Sequence, residues 1–337
     1  MKNVILHTCQ VCWLGSVPFF IRDFSRAYPE FHHVMMYLHE WKTHYGAMND
    51  LRLDGLEVCQ SKILTREIME YIDPVVLVMH NTPGSNIEGT WPYKWLQEWP
   101  AITVHHMKSK PLIPADLDVF VSKEIYNRGF KMCEGRFREK VFCPPCIDTS
   151  PYEKIERAPE SKRCVVGRLQ TDSPRRHPPE VLDIFRAVKQ SAPACTFSIV
   201  GGAKYYEDTQ GLDIEMPAVG SAPPEQFYAG FDILVLRNPA EVTDTWSRIV
   251  TEGMAAGLPV VSEDRGGPVE QIDSGENGFL CHTDDEFIEC ITKLANDPKL
   301  RYEMGMRARK KAVREFGLAR LRRDTESVVL KASVGVI

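Results

Sequence analysis

Residues 232–261 read Asp232-Ile233-Leu234-Val235-Leu236-Arg237-Asn238-Pro239-Ala240-Glu241-Val242-Thr243-Asp244-Thr245-Trp246-Ser247-Arg248-Ile249-Val250-Thr251-Glu252-Gly253-Met254-Ala255-Ala256-Gly257-Leu258-Pro259-Val260-Val261. The first apolar run is short enough for a buried strand, an acidic loop follows it, and 246–256 is a small-residue helix that Gly257 closes. A second apolar run begins at Pro259. Strand, helix and strand in this little space make a βαβ unit, so the two strands are expected to be parallel with the helix on one face of their sheet.

Working outward, the same alternation fills the chain. Strands are expected at 3–7, 34–38, 75–80, 101–105 and 119–122, with helices at 18–27 and 123–128 and a further apolar segment at 141–143. A second series starts after the polar stretch 148–163, with strands at 164–167, 197–201, 216–219, 233–236 and 259–262 and helices at 179–190, 246–256 and 286–296. The expected fold class is α/β, with two Rossmann-like domains facing each other across a cleft. Their expected extents are 1–147 and 164–316, with 148–163 as linker and 317–337 as a C-terminal helix returning to the first domain. The length of 337 residues fits two domains of about 100–200 residues each. No short-period repeat or low-complexity tract interrupts the pattern.

A net charge of −5 excludes nucleic-acid binding through a general basic field. The tail 300–330 is rich in arginine, but Glu303, Glu315, Asp324 and Glu326 are interleaved, which describes a solvated amphipathic helix pair. No apolar run approaches the ~18 residues that span a bilayer, and the N-terminus lacks a signal-peptide cleavage site. Ten scattered cysteines suit a reducing compartment. The expected location is cytoplasmic, or peripheral at a membrane. Cys143-Pro144-Pro145-Cys146 has the spacing of a redox pair or half a metal site, yet no second pair accompanies it and no helix opens there, so it reads as a stiff segment.

Open parallel sheets bind ligands at the carboxyl ends of their strands, where backbone N–H groups converge on anions. Arg168 ends the strand at 164–167, and Arg175 and Arg176 follow before a proline-started helix; guanidinium groups here could clamp a diphosphate. Gly201 and Gly202 would let a ligand approach the backbone. Asp244 precedes the helix 246–256 and Glu252 stands eight residues later. A carboxylate on that helix can accept hydrogen bonds from a ribose diol, while N–H groups near Ser247 and Arg248 can meet phosphate oxygens.

In this region the chain resembles the retaining GT-B glycosyltransferases of the large group-1 family. The resemblance rests on Asp244 and Glu252, on Ala255-Ala256-Gly257-Leu258-Pro259-Val260-Val261, on Gly266-Gly267-Pro268-Val269-Glu270, on Asn277-Gly278-Phe279-Leu280 and on Val219-Gly220, in that family's order over about 165–285. It implies that Glu252 binds the donor ribose, that Asp244 contacts the transferred sugar, and that Arg168 and Arg176 hold the diphosphate; Ser247, Arg248, Gly201 and Gly220 belong to the same donor site. Two departures matter. Asp244 stands where the family has Glu, with Glu241 as a nearby substitute, and Arg176 stands where it has Lys. In the first half, Gly15 occupies the place of the family's glycine loop, and His105 resembles the strand-end histidine, with His80 and His106 as rivals. Cys143–Asp148 fits the family's Pro-Asn-Gly-x-Asp linker.

The resemblance implies a metal-independent, retaining transfer of a sugar, from a UDP- or GDP-sugar donor to an acceptor the sequence does not identify, in glycan or glycoconjugate synthesis. No cofactor is expected beyond the donor, and the resemblance implies that no metal is needed. Leaving-group charge would be met by Arg168, Arg176 and backbone N–H groups, with His105 orienting the sugar. Three alternatives stay open: a nucleotide-sugar epimerase or phosphorylase of the same fold, a non-catalytic nucleotide-sugar-binding module, and a dinucleotide-dependent oxidoreductase, for which a GxGxxG loop is missing.

Overall fold

The computed structural model describes residues 3–9, 16–38, 55–80, 86–89, 93–106, 115–132, 139–159, 161–206 and 208–334. The chain divides into two compact units, Met1–Asp148 with Gly317–Ile337, and Thr149–Phe316.

The first unit is built on a seven-stranded sheet: β1 (Val4–Cys9), β2 (His32–Leu38), β3 (Glu57–Ser61), β4 (Val76–His80), β5 (Ala101–His105), β6 (Leu117–Phe120) and β7 (Lys140–Phe142). Their spatial order is β3-β2-β1-β4-β5-β6-β7, and every neighbouring pair is parallel. All-parallel strands are covered on both faces, so the central ones read as unbroken apolar runs; β4 and β5 are buried along their whole length. Helix Ser16–Ala27 covers one face, and the C-terminal helix Leu318–Val334 packs beside it. Leu321, Val328 and Val329 join Phe20, Phe24 and Tyr28 in one core cluster. The Tyr28 hydroxyl sits 2.8 Å from Thr325 Oγ1 and donates to the Arg322 carbonyl.

The second unit carries a six-stranded parallel sheet of β8 (Val165–Leu169), β9 (Thr196–Val200), β10 (Ile214–Glu215), β11 (Ile233–Leu236), β12 (Val260–Glu263) and β13 (Gly278–Cys281), in the order β10-β9-β8-β11-β12-β13. Both sheets are therefore doubly wound. The direction of strand addition reverses between β1 and β4 in one and between β8 and β11 in the other, and such reversals open a crevice at the carboxyl ends of the two strands concerned.

Three edge strands depart from the sequence expectations. β3 and β13 were not anticipated, because the half-exposed Glu57–Ser61 is polar and the turn glycine Gly278 opens Gly278–Cys281. β10 lies at Ile214–Glu215 rather than 216–219, since Pro217 has no N–H to continue the ladder and instead offers its carbonyl to Gly201 N–H at 2.9 Å. The polar stretch 148–163 also differs from a plain spacer. It contains the helix Ser150–Glu153 with Tyr152 buried, and Arg157 donates to the carbonyls of Tyr228, Phe231 and Ala256. Cys143 and Cys146 are buried in the first core, and both thiols donate to the Pro144 carbonyl, at 3.6 and 3.3 Å. Among the described residues no helix is long and apolar enough to cross a membrane.

Candidate functional site

The carboxyl ends of β8 and β11 bring together most of the polar residues expected to matter in the second unit. Gly167 in β8 has no room for a side chain, because a Cβ would lie 2.1 Å from the Phe231 ring. That close packing carries the next residue inward. Arg168 is 0 % exposed. Its Nη2 donates to the Arg176 carbonyl, while Nε and Nη1 make no well-formed hydrogen bond among the described residues, the Tyr206 hydroxyl interacting with the guanidinium only in poorer geometry. Burial pulls the guanidinium below its ordinary pKa, against the influence of Tyr206 and Glu263. A buried cation without a directly paired carboxylate is costly, so a site that keeps one is suited to an anion.

Beside it, Arg176 grips Asp244 through two parallel bonds of 2.7 and 2.8 Å, the fork geometry that matches guanidinium to carboxylate. The shorter Asp and the longer Arg thus meet across 68 residues of sequence. The loop bearing Asp244 is held in three ways. Arg265 donates to the carbonyls of Asn238, Pro239 and Ala240. Gly266, at φ +65°, leaves the space that the Asp244 carbonyl fills, since a Cβ would meet that oxygen at 2.4 Å, and Gly267 packs where a Cβ would sit 2.5 Å from Trp246 Cα. Gly267 N–H also donates to the Asp244 carbonyl at 2.7 Å. Glu241, by contrast, is exposed.

Helix Arg248–Ala255 begins at Ser247, whose side chain accepts from Val250 N–H as an N-cap. The Ser247 N–H donates to Gln271 Oε1 at 3.1 Å, and the Gln271 amide donates back to the Ser247 carbonyl and to Thr251 Oγ1, both at 2.7 Å. Glu252 is only 6 % exposed and accepts from Arg248 Nε at 2.7 Å and from the Tyr228 hydroxyl at 3.0 Å. Burial, and then the nearby Glu252 charge, push the phenols of Tyr152 and Tyr228 well up. Arg168, Arg176 and Asp244 therefore form one connected group, and a second is formed by Arg248 and Glu252, on the helix that follows Asp244, with Tyr228 from the helix Pro224–Gly230.

The glycines divide by role. Gly201 and Gly202 both have positive φ, but a Cβ at Gly201 would meet the Gln170 carbonyl at 2.4 Å and one at Gly202 would meet the His177 ring at 2.3 Å. Their space is taken by the protein itself. Gly220, at φ +81°, has nothing within 4 Å of a Cβ position, and Val219 beside it is exposed. One group escaped the sequence reading: Gln170, directly after β8, donates to Asn238 Oδ1 at 3.1 Å, and Asn238 donates to Glu263 at 2.9 Å. Each sits at a strand end beside the reversal, and the switch-point rule applied to every strand end would have marked them.

In the first unit Gly15 lies outside the described residues. His105 is buried, with Nε2 2.7 Å from Asp118 Oδ1 on β6 and its ring stacked 4.5 Å from Phe120. Burial raises the Asp118 carboxyl and His105 opposes the rise. His80 and His106 are buried too, 3.1 Å apart through Nδ1 and Nε2. No group of three or more His, Cys, Asp or Glu among the described residues is arranged to hold a metal ion.

Residues 161–297 match the family described as glycosyl transferases group 1. The chain is 33% identical to the sulfoquinovosyl transferase SQD2 of Arabidopsis thaliana over 141 residues, which are 38% of this chain and 26% of that protein. It is 25% identical to the trehalose synthase of Pyrococcus horikoshii over 205 residues, 52% of this chain and 49% of the relative. The matched region thus spans half or less of each relative's length. Among solved structures, Anabaena HepE in complex with UDP superposes with a TM-score of 0.74 at 16% identity, covering 98% of this chain and all of that one. At that identity the likeness is one of fold, and the fold is the GT-B one.

Proposed function

Starting from a chain whose residues 161–297 are a group 1 glycosyltransferase domain, we propose that it transfers a sugar from a nucleotide-diphosphate sugar to an acceptor hydroxyl, with retention of configuration at the transferred carbon. The observation that carries this reading is Arg168: a wholly buried guanidinium with two nitrogens that make no well-formed hydrogen bond among the described residues, at the carboxyl end of the strand where the sheet reverses. A diphosphate supplies the missing acceptors. Arg176 is the second cation, and it exchanges part of its Asp244 pairing for a phosphate oxygen. Asp244, so released, accepts from a hydroxyl of the transferred sugar. Glu252 takes the ribose diol in place of the Tyr228 hydroxyl. At the start of its helix Arg248 N–H is the proposed donor to phosphate, because Ser247 N–H is already held by Gln271.

Charge accumulates on the leaving diphosphate as the glycosidic bond breaks. Fixed cations in a dry site stabilise that charge without reorganising, and this is the proposed source of most of the rate. The departing phosphate takes the acceptor's proton, so no protein base and no metal are required. The first unit is proposed to recognise the acceptor and to supply a strand-end histidine that orients a sugar hydroxyl.

A thermal-shift screen of UDP- and GDP-sugars tests the reading. A donor present at 100 times its Kd should add ~2.7 kcal/mol of stability. Failure of every nucleotide sugar and every nucleoside diphosphate to shift the transition would end the proposal.

A further inference from the structure

A buried carboxylate, Glu263, stands among arginines at the end of β12. The ladders of the second sheet pair Gly167 with Leu234 and Leu236 with Ser262. One residue further along, Arg168 of β8 stands beside Val235, and Glu263 beside Arg237. Positions 235 and 237 point to the same side of the sheet, so Arg168 and Glu263 lie on one face with only β11 between them.

An amide, rather than a close ion pair, holds Glu263. Asn238 donates to it twice, through Nδ2 at 2.9 Å and through its backbone N–H at 3.4 Å, and Gln170 Nε2 donates to Asn238 Oδ1 at 3.1 Å. Both bonds reach the carboxylate from donors, which is the setting of an ionised acid. That charge also orders the two amides, because Asn238 turns its NH2 to Glu263 and so offers its oxygen to Gln170. Arg265 Nη2 lies 3.9 Å away, with its hydrogen bonds made to the carbonyls of Asn238, Pro239 and Ala240. Arg176 has Asp244 and Arg237 has Asp284, each at 2.7 Å. Arg168 has no carboxylate so close among the described residues, and Glu263 acts on it at longer range. Burial raises the Glu263 carboxyl above its ordinary range, while its own backbone N–H, Arg265, Asn238 and Arg168 oppose the rise. The same charge adds to that of Asp244 in raising Arg176.

We propose that Glu263 is a resident counter-charge of the diphosphate site. Without touching the donor, it offsets part of the positive field of Arg168 and Arg176, weakens their hold on a diphosphate and lets the nucleotide leave after transfer. Fixed cations that stabilise a departing diphosphate also retain it, and a fixed carboxylate beside them limits how tightly. Departure after transfer rests on the glycosyl-transfer reading above; the effect on anion affinity does not.

The test is calorimetric titration of UDP, inorganic pyrophosphate and uridine into the full chain at neutral pH, for the parent, Glu263→Gln and Glu263→Asp. Glu263→Gln keeps the shape and an oxygen for Asn238 while removing the charge. UDP and pyrophosphate should bind to it at least about threefold tighter, as the loss of a nearby like charge in a medium of intermediate dielectric implies. Uridine carries no charge and should bind alike to both proteins. Glu263→Asp keeps the charge and should lie closer to the parent than to Glu263→Gln. In turnover, UDP should inhibit Glu263→Gln at a correspondingly lower concentration. A damaged structural contact does not give a gain of affinity confined to anions. Unchanged or weaker binding of UDP and pyrophosphate by folded Glu263→Gln therefore overturns the proposal, as does equal tightening of uridine. Should that variant not fold, Glu263→Ser removes the same charge and is read in the same way. UDP binding by the parent without tightening in the variant would leave the glycosyl-transfer reading standing and remove the counter-charge. Tightened pyrophosphate in a chain that binds no nucleoside diphosphate would do the reverse, and no binding of either anion to any of the proteins overturns both.

Discussion

Burial strips Arg168 of water while no carboxylate among the described residues pairs with it directly, and this single side chain separates stability from function. Arg168→Met fills similar volume without the charge. It is expected to leave the free protein as stable as the parent or about 1–3 kcal/mol more stable, as when buried ionic groups are replaced by packed apolar ones. The same variant should lose at least about tenfold in nucleoside-diphosphate affinity, because charge-assisted bonds contribute about 1.5–3 kcal/mol each. Thermal melting with and without UDP reads both. Glu252→Ala should weaken donor binding by a comparable factor; an unchanged donor KM and kcat would remove Glu252 from the ribose site. At this scale Arg168 was legible as a charged strand end, and Asp244 and Glu252 were marked by the family resemblance together with their places before and on the helix. The sequence did not show the Gln170–Asn238–Glu263 group, whose members lie 68 and 25 residues apart and meet only because the sheet places their strand ends side by side.

The element that sets the site is the loop and helix from Asn238 to Ala255, and the Gly266-Gly267 turn packs against it. Gly267→Ala would place a methyl 2.5 Å from Trp246 Cα, a backbone contact that cannot swing away. A cost of at least about 2 kcal/mol is expected in chemical denaturation, with a loss of donor affinity because Asp244 moves. Gly220→Ala meets no neighbouring atom, so its cost should be confined to the strain of φ +81°. The two glycines looked alike in sequence, and only packing tells them apart. Strand positions in the buried middle of each sheet were legible because unbroken apolar runs have few other uses in a chain of this kind. Edge strands were missed where one face is wet, which removes the apolar signal, and β10 was displaced because the hydrophobic run around Met216 contains a proline.

Across the whole molecule, alternation of short apolar runs with amphipathic segments was enough to expect two doubly wound sheets, and the tail was legible as two helices. Which sheet each helix joins follows from burial: Pro298–Phe316 belongs with Thr149–Phe316, while Leu318–Val334 packs on the first unit. Ending the chain at Phe316 removes Leu321, Val328 and Val329 from the first core. At ~1.5–3 kcal/mol for each buried aliphatic side chain, the first unit should lose about 5 kcal/mol or more and unfold at far lower denaturant. The proposed diphosphate site is the reversal between β8 and β11, built on Arg168. Calorimetric titration of UDP and GDP into the parent chain and into Arg168→Met tests it most directly. The expected result is saturable binding of at least one of them to the parent and at least tenfold weaker binding to a variant that melts no lower. Equal affinities in the two proteins, or no binding of either nucleotide to the parent, would contradict it.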